Sequence, residues 1–310
     1  MSQTLNKQEA DLLKKAATTA SISVASILCA LKLWASLSTG SLAVLSSLID
    51  SLADVFASSI SFVAVRFSSR PASCNHRYGY GRAESVSALL QSAFITGSGL
   101  FVLYDGIDRL LNPVALQKTN FGILIMFVSL IITLFLIAFQ NFVARKTASP
   151  AVEADKMHYL VDVLTNASII VSLVAVRYFH LAWFDMLTAV FISAFLIYNA
   201  YKIAADAVAN LTDQELSPLI RSKVIDIIRH SEGIKGFHDF RSRDLGGMYH
   251  FEIHLELDGQ ITLEEAHTLT DLVENKIKER FPQAQVIIHQ DPYGIAENHL
   301  DDQLGQCDLF

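Results

Sequence analysis

Long apolar runs alternate with short polar connections from about residue 16 to residue 209, and shorter amphipathic segments follow. A helix that crosses a bilayer needs roughly 20 mostly apolar residues. Six windows reach that length, at residues 16–37, 42–67, 85–111, 121–144, 158–179 and 183–209. The fourth is the most uniformly apolar and is expected to face lipid most. The second and fifth carry acids, which puts them inside a bundle. Gly97–Ser98–Gly99 and the small residues Ala53, Ala57, Ser58 and Ser61 suit close helix packing. The N-terminus is polar and mixed in charge, without a cleavable leader pattern, so the first apolar run is expected to stay as a span.

Beyond Leu211 the periodicities read helix, strand, strand, helix, strand. Ser217 and Pro218 suit the cap and first position of a helix. Gly246–Gly247 marks a hairpin turn. Residues 249–257 alternate, with Phe251, Ile253, Leu255 and Leu257 on one face and His250, Glu252, His254 and Glu256 on the other. Thr262 and Glu265 form a capping box that opens a helix reaching about Phe281, and residues 285–289 are the last strand. The expected organisation is a tail (1–15), a six-helix membrane bundle (16–210), an αββαβ α/β domain with a mixed sheet (211–294) and an acidic, disordered tail (295–310).

Composition agrees with a membrane protein that has a soluble part. Charged residues make up 18% of the chain and mean hydropathy is +0.36, against about 25% charged residues in soluble domains. A net charge of −7 argues against nucleic-acid binding. Cys29, Cys74 and Cys307 are widely separated and suggest neither a disulfide framework nor a thiolate zinc site. Basic residues concentrate on the N-terminal tail and alternate connections, Lys7, Lys14 and Lys15; Arg66, Arg70, Arg77 and Arg82; Arg145, Lys146 and Lys156, while the third connection has Arg109 and Lys118 and the fifth has Arg177. The connection at residues 38–40 has no charge, so the positive-inside rule puts both termini in the cytoplasm. Lys32, about a turn from the end of its span, is expected to snorkel to the interface.

Two polar pairs interrupt the apolar windows. Asp50 and Asp54 are four apart in the second, and His158 and Asp162 are four apart in the fifth. Residues i and i+4 share a helix face, so each pair can offer two ligands to one point. Intramembrane acids are costly and therefore functional by default. Three carboxylates and one imidazole suit a tetrahedral zinc ion and also admit ferrous iron, cadmium or manganese. The absence of thiolate argues against a dedicated copper(I) site. Asn166 extends the His158 face and is expected to support the ligands or pack. Metal needs deprotonated carboxylates and a neutral imidazole, so metal and protons compete, with His158 best suited to titrate near neutral pH. No HExxH or GxSxG pattern supports a membrane hydrolase. A pure metal sensor would leave the buried acids unexplained, and a channel would need no proton coupling.

The chain resembles the cation diffusion facilitator family. The resemblance rests on SLAVL at residues 41–45 leading into DSLAD at 50–54, HRYGYGRAES at 76–85, HYLVD at 158–162, HDFRSR at 238–243 and HQDP at 289–292. It implies a homodimer in the cell inner membrane, with six spans per subunit and a metallochaperone-like, ferredoxin-like cytoplasmic domain. It also implies zinc-for-proton exchange by alternating access, with Asp50, Asp54, His158 and Asp162 as transport site and Met157 as a hydrophobic gate. Arg82 and Asp213 match an inter-subunit charge interlock. His238, His254, His267, His289 and Asp291 match a structural or regulatory two-metal site, with Asp291 bridging and Gln290 just outside the ligand set. His230, His250 and His299 lack motif partners and are expected to be exposed. Relatives bind a further metal in the loop after the second span with an Asp and two His. Here those positions are Ser73, His76 and Tyr80, beside Cys74, so that site is expected to be weak or absent.

Overall fold

A computed structural model describes residues 7–39, 42–111, 120–179 and 183–295. The chain divides into two units, residues 1–208 and 209–310.

The first unit is all helical: α1 Lys7–Thr39, α2 Leu42–Ser68, α3 Ala83–Leu111, α4 Asn120–Thr147, α5 Pro150–Phe179 and α6, which starts at Trp183 and ends at Leu211. α1 packs on α2 and α4, and α5 packs on α2, α3 and α4. The surface inverts the soluble pattern. Phe56, Val63, Phe101, Phe135 and Phe191 are exposed, whereas Ser21, Ser58, Ser61, Gln91, Gln140 and Asp155 are buried. An apolar exterior around a polar interior is what a bilayer solvent demands. Among the described residues, five helices carry windows long and apolar enough to cross a membrane: Gln8–Trp34, Ser51–Ser68, Ala83–Tyr104, Val128–Thr147 and Ala189–Leu211. Six were expected. In α5 the described side chains include Glu153, Asp155, Lys156, His158 and Asp162, while those of residues 168–179 lie outside the described set.

Small residues set the helix approaches. Ala57, Ser58 and Ser61 are buried on α2. At Gly99 an added Cβ would lie 3.2 Å from Ile197 and 3.3 Å from Leu196 on α6, whereas at Gly97 it would meet nothing within 4 Å. Gly99→Leu is therefore expected to destabilise the fold by about 1–3 kcal/mol through overpacking, while Gly97→Leu is tolerated. Thermal unfolding of the two variants would separate them. Lys32 departs from the snorkelling expectation: its Nζ donates to Ser51 Oγ at 2.6 Å, so the neighbouring helix α2 supplies an acceptor for its ammonium group.

The second unit contains α7 Pro218–Arg229, β1 Gly236–Asp244, β2 Tyr249–Leu257, α8 Leu263–Arg280 and β3 Gln285–Pro292. The sheet order is β1-β2-β3, with β1 antiparallel and β3 parallel to β2. α8 is the crossover that a parallel β2–β3 pair requires. Val224 and Ile228 of α7 and Val273 and Ile277 of α8 close over Phe251, Ile253 and Leu255, all essentially buried. The Thr262–Glu265 capping box forms as expected. Ser217 holds the cap position of α7, but its side chain makes no capping bond. Its carbonyl instead accepts from the Ile220 and Arg221 N–H groups. Gly246 and Gly247 both have positive φ, and Asp244 Oδ1 accepts from both of their N–H groups, fixing the hairpin.

His250 corrects an expectation. It shares strand parity with the polar face yet is 1% exposed, because Arg243 lies opposite it in register and Glu252 approaches its Nδ1 to 3.5 Å. Burial, and then the Arg243 charge, push its pKa below the ordinary 6.5. The unfolded chain thus binds this proton more tightly than the folded one. The stabilising contribution is complete above the unfolded pKa and is lost as pH falls below it. A His250→Gln variant should show a flatter loss of thermal stability on acidification than the parent protein. His230, by contrast, is exposed, its Nδ1 2.7 Å from the Asp226 carbonyl. His299 and the acidic tail beyond residue 295 lie outside the described residues.

Candidate metal centres

The contact between α2 and α5 assembles the membrane site. His158 Nε2 lies 3.1 Å from Asp54 Oδ1. Asp54, His158 and Asp162 each present a ligand atom within 4.8 Å of the others. Helical periodicity puts His158 and Asp162 on one face of α5. The side chains of Asp50 and Asn166 lie outside the described residues. His158 is 6% exposed, and its Nδ1 is buried with no hydrogen-bond partner among the described residues. One ring nitrogen thus faces the carboxylates while the other is enclosed. Two carboxylates this close, in an apolar bundle, need a compensating positive charge, which a proton or a metal ion can supply. That competition is the chemistry available here.

Met157 sits beside the site, buried with Ile95, Val161, Ile192, Leu196 and Ala200, and so joins α3, α5 and α6. Ser73, His76 and Tyr80 come together in the loop before α3. Ser73 Oγ and the Tyr80 hydroxyl are 2.9 Å apart, and the His76 and Tyr80 rings are 4.4 Å apart. Cys74 is exposed there. Arg82 belongs to the first unit and Asp213 to the second, where its carboxylate lies 3.5 Å from Arg243.

The second centre is built by strand register. His238, His254 and His289 are lateral neighbours on β1, β2 and β3, and Glu256 and Asp291 pair two residues further along. Alternation puts these five side chains on one face of the sheet. An irregularity in β1 between His238 and Arg241, with Asp239 at φ 49°, lets Phe237 and Phe240 both reach the core while His238 stays on the outer face. Asp291 Oδ2 lies 2.9 Å from His254 Nδ1 and 3.4 Å from His238 Nε2. Its Oδ1 lies 3.2 Å from His289 Nε2. One carboxylate therefore faces three imidazoles with both oxygens, a nitrogen-and-oxygen donor set of the kind that zinc accepts. Gln290 turns away, its Nε2 donating to Thr270 Oγ1 at 2.8 Å. His267 is not gathered in. Its side chain is 69% exposed and lies 3.5 Å from Asp271, because α8 carries it away from the histidine row.

Two residues escaped the sequence reading. Glu256 Oε1 lies 3.0 Å from His238 Nδ1 and orients that ring, with its carboxylate over Gly236, where an added Cβ would come within 2.6 Å of Oε2. Only its parity with His254 could have signalled this. Asp155, fully buried, stands three residues before His158, which puts it on the ligand face of α5. An apolar window starting at residue 158 leaves it outside.

A family model described as the cation efflux transmembrane domain matches residues 18–212, and one described as the cation efflux protein cytoplasmic domain matches residues 216–293. The cation-efflux pump FieF of Citrobacter koseri is 39% identical over 297 residues, covering 94% of this chain and 97% of that protein. FieF of Escherichia fergusonii is 40% identical over 293 residues with the same coverage. Among solved structures, the metal-bound C-terminal domain of the CzcD transporter from Thermotoga maritima is similar at 25% identity and a TM-score of 0.24, over 25% of this chain and 92% of that one.

Proposed function

Because this chain belongs to the cation efflux (cation diffusion facilitator) family, and is thus a cation efflux transporter, we propose that it exports a divalent transition metal ion in exchange for protons. The observation that carries this reading is the convergence of Asp54, His158 and Asp162 inside an apolar-surfaced bundle. With Asp50 they make a set that suits zinc first and admits ferrous iron, cadmium and manganese. Each is a substrate, and each competes with protons for the same lone pairs. Alternating access would load the site from the cytoplasm, where both termini lie, and discharge it across the inner membrane, with Met157 as the apolar gate.

The protein works as a homodimer. At the soluble centre His238, His254, His289 and Asp291 would hold regulatory zinc, with Glu256 fixing the His238 ring. His267 joins only if the domain rearranges on binding. Metal there would favour one arrangement of the dimer by differential affinity, with Arg82 and Asp213 as a charge interlock. The Ser73, His76 and Tyr80 loop is a weak site at most, because its polar groups already contact one another.

The test is transport in sealed proteoliposomes with an internal pH indicator, across zinc, ferrous iron, cadmium and manganese. Saturable metal flux with opposite proton movement is expected. Metal flux without proton flux would refute exchange, and non-saturable flux would indicate a channel.

A further inference from the structure

A ring of hydrogen bonds closes one helical turn from the cargo ligands. Gln140 on α4 donates from Nε2 to Asp155 Oδ2 at 2.7 Å and to Ser21 Oγ on α1 at 2.8 Å. On the other side, Ser58 Oγ on α2 lies 3.3 Å from Asp155 Oδ1 and 2.7 Å from the Tyr159 hydroxyl. Tyr159 in turn donates to the Ser21 carbonyl at 3.1 Å. Asp155, Ser58, Ser21 and Gln140 are all buried, and Tyr159 is 2% exposed. Four helices thus meet at one carboxyl group.

Counting hydrogens decides its state. The contacts Asp155–Ser58, Ser58–Tyr159 and Tyr159–Ser21 carbonyl need three hydrogens, and the two hydroxyl groups supply one each. Both Gln140 hydrogens are committed, and the Ser21 hydroxyl hydrogen, which has the Ala17 carbonyl and Asp155 itself as acceptors, takes no part in these three contacts. If Asp155 keeps its own hydrogen, the chain runs in one direction: Asp155 to Ser58, Ser58 to Tyr159, Tyr159 to the Ser21 carbonyl. Every contact is then satisfied. If the acid is ionised, one close oxygen–oxygen contact has no hydrogen, and an anion sits in a dry interior with neutral hydrogen-bond partners, an arrangement proteins avoid.

The surrounding charges are few among the described residues. α1 and α4 face Asp155 with neutral Ser21 and Gln140, and α2 with Ser58, Asp54 being one turn further on. On α5 itself the titratable neighbours are Tyr159 and His158, and His158 already faces Asp54. Lys156 is engaged with Glu153. On α3, Glu84 is engaged with Lys14 and Ser68.

We propose that Asp155 is a proton-binding site of the membrane domain, distinct from the cargo ligands, and that it carries its proton in this conformation. The proton completes the tie between α1, α2, α4 and α5. Losing it removes one link and loosens the α2–α5 seam that holds Asp54 against His158. The assignment does not depend on which ion is carried or on transport at all.

The test is infrared spectroscopy of the full-length protein in lipid at neutral pH. A C=O stretching component of a buried protonated carboxylic acid is expected, shifting to lower frequency in D2O. It should vanish in Asp155→Asn and persist in Asp54→Asn. Asparagine can accept from Gln140 and donate to Ser58, so this variant should fold. Absence of the component in the parent protein, or its survival in Asp155→Asn, overturns the proposal. Should Asp155→Asn fail to fold, Gln140→Leu leaves the acid in place and removes the hydrogen bond to its carbonyl oxygen. The component is then expected to move to higher frequency, and an unmoved component would overturn the assignment.

Discussion

Replacing Asp54 with alanine should reduce the initial rate of metal transport in proteoliposomes by more than about 100-fold, since groups that merely support a ligand already cost 10–100-fold when removed. The size follows from two losses at once. Asp54 is one of the converging ligands, and its Oδ1 lies 3.1 Å from His158 Nε2, so it also holds the imidazole in place. Removing it takes away a negative ligand and frees the ring. Stability should not fall in parallel, because Asp54 is a carboxylate close to a second one and its removal relieves repulsion. Asp54→Asn separates the two losses: the amide keeps a partner for the ring but supplies no charge. A rate near that of the alanine variant would show that charge, rather than ring orientation, is what the cargo needs. Full activity in Asp54→Ala would sink the assigned pathway, whatever the metal.

The parts of the fold and of the membrane site that are local in sequence are legible in the sequence. Asp54, His158 and Asp162 stood out because helical periodicity is short-range: residues four apart share a face whatever the rest of the chain does. The Thr262–Glu265 capping box and the Gly246–Gly247 turn are local for the same reason. What remained hidden depends on pairing between distant segments. The row of His238, His254 and His289 exists only in one strand register, and a slip of one residue would turn the whole β3 set to the other face. The β1 irregularity at Asp239, which keeps His238 outside while Phe240 goes in, has no marker in composition. Glu256 looked like one more solvated strand residue until β1 placed His238 3.0 Å from its carboxylate. His250 misled in the opposite sense, since alternation assigns a face but not what covers it. Asp155 was missed because hydropathy windows begin where charge ends, and this acid is buried by neighbours from three other helices.

Asp291→Ala should remove high-affinity metal binding at the soluble centre, with apparent affinity falling by at least about 10–100-fold. Asp291 is the residue there that faces three imidazoles, with Oδ2 towards His254 and His238 and Oδ1 towards His289. Without it, three neutral rings would have to hold divalent charge with no bridging anion, and Glu256 is already turned to His238 Nδ1. Titration of the full-length protein against a competing chelator would read this loss, provided the membrane site is silenced by Asp54→Ala in both the parent and the test variant. Glu256→Gln makes the finer comparison. It keeps a hydrogen-bonding group beside His238 Nδ1 but not the negative charge, so a smaller drop is expected. His267→Ala should have less effect than either, because His267 is exposed and lies beside Asp271 rather than in the histidine row. Unchanged metal affinity in Asp291→Ala would remove the soluble centre from the mechanism and leave regulation to the membrane domain. A loss of binding with an unchanged transport rate would keep the centre and remove only its regulatory role. Those two outcomes separate the chemistry of the site, which rests on distances within one sheet, from its influence on the bundle, which rests on differential affinity for two states of the dimer.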